Sequence, residues 1–256
     1  MKNATEFAKK YKKFHRTLPA TDVEHSDHGV IGEVIYAHLL WNATAKQAKA
    51  AYKKLISAAV DLNDLRMNHI YETENLIGVN YPQAKERARR LKTVLNDIFK
   101  REHGMHIPSL EGAGKRDIRE YFETLEGITP FVCNRVISIS YDVAAVPVDD
   151  RTLALMIAND LVHETSSITD TSSWLSRQVK ADSVCEAHAS LHAWSEEQPA
   201  PKPAKKTTKK TSKKKIAIKS TAKKKVTKKK VAKKPAKKKV AKKATKKKTA
   251  KKKVSK

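Results

Sequence analysis

Asp149 heads the amphipathic stretch DDRTLALMIANDLV, and twenty-two residues before it Gly127 sits in the four-residue turn EGIT. A carboxylate at such a place can stabilise a developing cation or activate water. As a helix N-cap it can equally accept a backbone N–H bond, and one side chain can do both. Asp150 reads as a first-turn carboxylate favoured by the helix dipole. The turn Glu126–Gly127–Ile128–Thr129, followed by Pro130 at a helix start, has the form of a helix–hairpin–helix. There a glycine permits a tight turn, and the free N–H groups of the turn and the next helix face a phosphate. Gly127, Ile128 and Thr129 are the candidate phosphate contacts. The bland reading is an ordinary glycine-bearing turn between two helices. Lys115 and Arg135 flank the hairpin and could touch phosphates, Lys115 being the better placed in a polar loop.

Other clusters carry weaker signals. His188 and His192 lie four apart, a zinc-compatible spacing, but no third ligand stands at a recognisable distance, so a structural role is expected. Asp22, Glu24, His25, Asp27 and His28 form an oxygen-rich stretch without a metal-loop signature and read as a solvated loop. Cys133 and Cys185 fall on apolar helix faces and read as core. Two cysteines are too few for a four-cysteine zinc or iron–sulfur site. No metal and no cofactor are expected.

The elements that must position these residues read as helices almost throughout. Helical periodicity runs from Asp27 to Trp41, from Thr44 to Val60, and in shorter pieces at Leu62–Met67 and Ile70–Leu76. Pro82 is placed to open a long helix closed by Gly104. RDIREYFETL, PFVCNRVISISY, the Asp149 segment, and stretches near Ser172–Lys180 and Asp182–Glu196 complete the set. VISISYDVAAVPV is β-branched but has no hairpin partner.

LEGITPF with VPVDD resembles the core of the HhH-GPD superfamily of DNA glycosylases, most nearly endonuclease III. In that family a hairpin L-P-G-[VI]-G is followed by a catalytic Asp within V-D-[TS]. By order of helices the resemblance spans roughly Ile31 to Trp194. LLWNAT falls where the family has L-[LT]-x-Q-[NA]-T, which implies that Asn42 wedges into the base stack; a helix cap is its plainer role. LIGVNYPQAKERARRL and VCEAHASLHAW are similar to two further family segments. The implied fold is all-α: two helical subdomains with a DNA cleft between them, the hairpin and Asp149 on its rim. Where lyase-competent members carry a Schiff-base lysine, this chain has Phe131, which cannot attack a sugar. Phe131 could stack on an extruded base, although an aromatic there is more often core. Thr129 replaces the second hairpin glycine, which implies a positive φ at some cost. The cluster cysteines of endonuclease III are absent. The family therefore implies a monofunctional, water-using glycosylase with Asp149 as its catalytic residue.

Charge divides the chain. It carries 54 Lys+Arg against 27 Asp+Glu, a net +27. Residues 199–256 hold 29 lysines and no acid, arginine or aromatic, leaving 25 basic and 27 acidic residues in 1–198, a net of −2. A segment charged at every second position has no apolar face to offset its ordering entropy, so residues 199–256 are expected to be a disordered arm and 1–198 the folded domain. Lysines without aromatics neutralise phosphate but do not read bases, so the expected partner is double-stranded DNA, bound non-specifically. The repeats resemble, in composition, the tails of linker histones and their bacterial counterparts. No stretch is long and apolar enough for a membrane span, and no secretory core begins the chain. A monomer is expected, in the cytoplasm on the nucleoid, or in the nucleus of a eukaryote. The rival reading is an inactive glycosylase fold that compacts DNA as a histone-like protein.

Overall fold

The computed structural model describes residues 4–199, and the lysine-rich arm lies outside them. Eleven α-helices are found among the described residues: α1 (Ala4–His15), α2 (Gly29–Leu40), α3 (Ala45–Ala58), α4 (Leu62–Met67), α5 (Ile70–Ile77), α6 (Ala84–Glu102), α7 (Lys115–Glu123), α8 (Pro130–Tyr141), α9 (Asp150–Ala158), α10 (Ile168–Leu175) and α11 (Val184–Glu197). None is long and apolar enough to cross a membrane.

The helices enclose two hydrophobic cores. In the first, α2 is the central rod. Ile31 to Leu40 are buried on every face, as expected of a helix with neighbours all round. It packs against α3, α6 and α8. The second core gathers α9, α10 and α11 around Trp174, Leu175, Met156 and Leu191. The sequence reading passed over α1, which belongs here. Its Tyr11 meets the Trp174 ring at 5.7 Å and its Phe14 meets Trp194 at 4.8 Å.

The β-branched run VISISYDVAAVPV is the seam between the cores. It stays helical to Tyr141, stops at Asp142 with φ 51°, and continues extended. Val143 and Ala145 enter the first core, and Val146 and Val148 the second. Burial on both sides favours apolar residues there without any sheet.

Pro82 does not open the long helix. Gln83 adopts a left-handed φ of 53°, and α6 starts at Ala84. The Pro82 carbonyl is instead held by Arg87, whose side chain is wholly buried. That guanidinium also donates to the carbonyls of His38 and Trp41, the latter at 2.6 Å. It therefore satisfies the C-terminal end of α2, whose last carbonyls have no partner within the helix. Burial lowers the Arg87 pKa to about 10, still cationic at neutral pH. At the far end, α6 is closed by His103 in the left-handed region (φ 55°), one residue before Gly104.

Candidate nucleic-acid interface

The α7–α8 turn is clamped onto α6. Glu126 donates its N–H to Asp97 at 2.9 Å, Arg101 donates to the Thr124 carbonyl at 2.7 Å, and Arg90 donates to the Gly127 carbonyl at 3.2 Å. Gly127 has φ +87°, and a Cβ there would lie 3.1 Å from the Thr93 Cβ and 3.2 Å from the Arg90 carbonyl oxygen. Glycine is required twice over, by conformation and by space.

Thr129 departs from expectation. It does not take a positive φ; it sits at φ −107° as the N-cap of α8, and its hydroxyl accepts from the Val132 N–H at 3.3 Å. The turn closes with one left-handed residue rather than two. The Ile128 N–H points inward to the Leu125 carbonyl at 3.4 Å, whereas the N–H groups of Gly127 and Thr129 have no acceptor among the described residues. Free N–H groups in a turn that leads into a helix start can take a phosphate oxygen. Lys115 stands at the opposite end of α7, about 13 Å away at 1.5 Å per residue. Its ammonium donates to the Asp142 carbonyl at 2.7 Å, so it secures the end of α8 and is not part of the hairpin. Arg135 is corrected more sharply. It is buried, ion-paired with Glu33 at 2.8 Å, and bonded to the Glu24 carbonyl at 2.7 Å. It holds the loop before α2 rather than a phosphate.

Asp149 is the N-cap of α9, 2% exposed, with Oδ1 accepting from the Thr152 N–H at 2.7 Å. The next residue, Asp150, is exposed and accepts from the Asn42 side-chain amide at 2.9 Å. That bond spans 108 residues and sets the α2–α3 turn against the start of α9. Asn42 holds a left-handed φ of 53°, which asparagine tolerates better than most residues. Thr44, not Asn42, caps α3, in a capping box with Gln47. A further bond closes the same corner, from the Ala45 N–H to the Glu196 carboxylate at 2.6 Å. Phe131 is 2% exposed, edge-on to the His188 ring at 5.6 Å. Its ring belongs to the interior, and no amine occupies that position.

The sequence reading missed Val79. It is 68% exposed in the loop after Gly78, itself at φ +103°. The same loop is tied to the end of α2 by Tyr81, whose hydroxyl donates to the Leu39 carbonyl at 2.7 Å. Asn42 and Val79 therefore hang from the two sides of one buried knot built on Arg87 and Tyr81. A glycine followed by an apolar residue in the polar run GVNYPQ was the available signal.

No family model matches the sequence, and no curated protein matches it. Solved structures do. The chain superposes on a trapped endonuclease III–DNA covalent intermediate with a TM-score of 0.56 at 16% identity, over 76% of this chain and 86% of that one. This is the HhH-GPD glycosylase fold. A thermostable thymine-DNA glycosylase shares that glycosylase fold at TM-score 0.53 and 17% identity, over 78% of this chain and 89% of the other. The H. pylori 3-methyladenine DNA glycosylase bound to 1,N6-ethenoadenine shares it at 0.52 and 14%, over 75% and 94%. Within the glycosylase fold, the two cores described above are the two helical subdomains, and the α7–α8 turn is the hairpin.

Proposed function

We propose that this protein is a DNA glycosylase that breaks the N-glycosidic bond by hydrolysis, with Asp149 as its catalytic residue. The carrying observation is a carboxylate fixed by its own helix cap beside the Asn42 turn, with a buried phenyl ring where a Schiff base would need an amine. A fixed carboxylate stabilises an oxocarbenium-like sugar without reorganising, and it can take the proton of the attacking water. The Gly127 and Thr129 amides hold a phosphate. Asn42 and Val79 fill the duplex where the nucleotide leaves it, since extrusion costs a few kcal/mol of lost stacking that inserted side chains offset. The lysine-rich arm keeps the enzyme on DNA between encounters, through counterion release.

The test is a screen of the full-length protein against duplexes carrying single damaged bases, with strand breaks scored before and after alkali. Excision that leaves the strand intact until alkali is added is expected, and Asp149→Asn should abolish it while keeping DNA affinity and melting temperature. Asparagine caps about as well as aspartate, so any loss is chemical rather than structural. Normal excision by Asp149→Asn would overturn the assignment. Failure of the wild type on the whole panel would overturn the glycosylase reading.

A further inference from the structure

The outer face of α3 carries positive charge that its own residues do not balance. The helix has 14 residues, among them Lys46, Lys49, Lys53 and Lys54, and no acid. It packs on α2 and α5 through the side that buries Ala48, Ala51 and Leu55, which turns all four lysines to the surface. At 3.6 residues per turn, Lys46 and Lys53 fall in one line along the middle of the exposed face, about 10 Å apart at 1.5 Å per residue. Ala50 and Ser57 share that line and are exposed too. Their short side chains leave the face low, so a broad partner can lie across it. Lys49 and Lys54 flank it on either side.

Other surface helices neutralise their own charge. On α6, Arg89 pairs with Glu86 and Arg101 with Asp97; on α7, Arg119 pairs with Glu123. On α3 only Lys49 is matched, by Glu24 at 3.2 Å. No ion pair among the described residues includes Lys46, Lys53 or Lys54. Lys53 and Asp27 line one groove without pairing. Residues 1–198 carry a net of −2, so this local excess runs against the average of the domain. The helix also starts at the corner that ties the candidate interface. Asn42 bonds Asp150 at 2.9 Å, Thr44 caps the helix, and the Ala45 N–H reaches Glu196 at 2.6 Å. Lys46 therefore stands four residues from Asn42, and the lysine line leads away from that turn. α1 is comparably basic, with Lys9, Lys12 and Lys13 exposed, but its aromatic ties run to Trp174 and Trp194 in the second core.

We propose that the lysine face of α3 is a docking surface for duplex DNA, taking backbone phosphates beyond the Asn42 turn; the inference rests on the reading of that turn as part of a DNA interface. Lysine ammonium groups act as point charges on phosphate, so the face fixes where the duplex lies without reading its bases. Each phosphate neutralised releases counterions and adds about 0.9 to the log–log salt slope.

Full-length protein is bound to a duplex carrying one tetrahydrofuran abasic analogue, acylated with an amine-reactive ester, and mapped by peptide mass spectrometry. Lys46, Lys53 and Lys54 should be protected in the complex, while Lys9, Lys12 and Lys13 keep their reactivity. Lys46→Gln, Lys53→Gln and Lys54→Gln combined keep helix propensity and should lower the salt slope by about 2–3 and the affinity at least about tenfold. The same three positions changed to arginine should retain the slope, and Lys9→Gln, Lys12→Gln and Lys13→Gln combined should leave it unchanged. Absence of protection on α3 overturns the proposal. So does equal protection of α1 and α3, which marks a general coating by DNA, and so does an unchanged slope in the α3 glutamine variant. Protection by polyglutamate but not by the duplex assigns the face to an acidic protein and overturns it as well. Base release is scored separately. Protection and slope loss in a protein that releases no base uphold the face and remove the enzymatic reading, whereas release without protection does the reverse.

Discussion

Replacing Gly127 with alanine perturbs the hairpin at a point where both its conformation and its space are defined. At φ +87° a residue with a Cβ loses about 1–2 kcal/mol relative to glycine. The added methyl also meets the Thr93 Cβ at 3.1 Å and Cγ2 at 3.2 Å, and the Arg90 carbonyl oxygen at 3.2 Å. Overpacking of that kind costs about 1–3 kcal/mol, partly relieved here because α6 can give by a few tenths of an ångström. The sum is roughly 2–4 kcal/mol, and at about 2–4 °C per kcal/mol for a domain of this size the midpoint should fall by roughly 5–15 °C. A thermal double-mutant cycle with Thr93→Gly separates the two parts, because that change removes two of the three crowding atoms and leaves the backbone strain. Circular dichroism melts of the four proteins give the coupling, and salt-dependent binding of undamaged duplex gives the functional loss. An alanine variant that melts within a degree of wild type would refute the strain argument. A coupling of zero would refute the contact with α6.

Arg87→Met should destabilise the domain by about 3 kcal/mol or more, since it strands three backbone carbonyls that guanidinium alone reaches; chemical denaturation measures it, and a change below about 1 kcal/mol would count against the knot. Burial lowers His38 to about 4, so below the unfolded imidazole pKa of about 6.5 the unfolded chain binds a proton that the folded one refuses. Stability is therefore complete above about pH 6.5 and falls toward pH 4, at up to about 1.4 kcal/mol per pH unit for this group. His38→Gln should flatten that limb in denaturation curves taken across the range. Removing residues 199–256 should weaken binding to undamaged duplex at least about tenfold near physiological salt and flatten the log–log salt slope, because the remaining residues carry a net of −2. Unchanged affinity and slope in a filter-binding titration would remove the arm from the interface.

The hairpin and the Asp149 cap were legible because each signal is local: a glycine turn just before a proline at N1, and an aspartate just before an amphipathic run. Thr129 was misread by matching it to a glycine. The alternative use of a threonine before proline, as a helix cap, was visible in the same four letters. Long-range features were not legible. Nothing in the first fifteen residues announces that Tyr11 and Phe14 pack on Trp174 and Trp194, more than 160 residues away. Nothing local marks Arg87, Arg135 and Glu33 as buried, since charged residues rarely are, and the burial of these three depends on partners supplied by other segments. A cavity lined by Asp22, Tyr36, Arg135 and His188 was hidden for the same reason, since its walls come from the segment before α2 and from α2, α3, α8 and α11.

The placement of α1 in the second core bears on how the chain is made. The first core is contiguous, Ile31 to Ala145, and can close as soon as those residues have left the ribosome. The second joins the earliest helix to the latest, so Tyr11 must wait for Trp174 and Leu191 before its ring is covered. Contacts so far apart in sequence slow folding, and until the last helices are made the apolar face of the amphipathic α1 has no partner. The 29 lysines are translated after every residue of both cores. The uncompensated lysine run is therefore absent while the residues of both cores are being made.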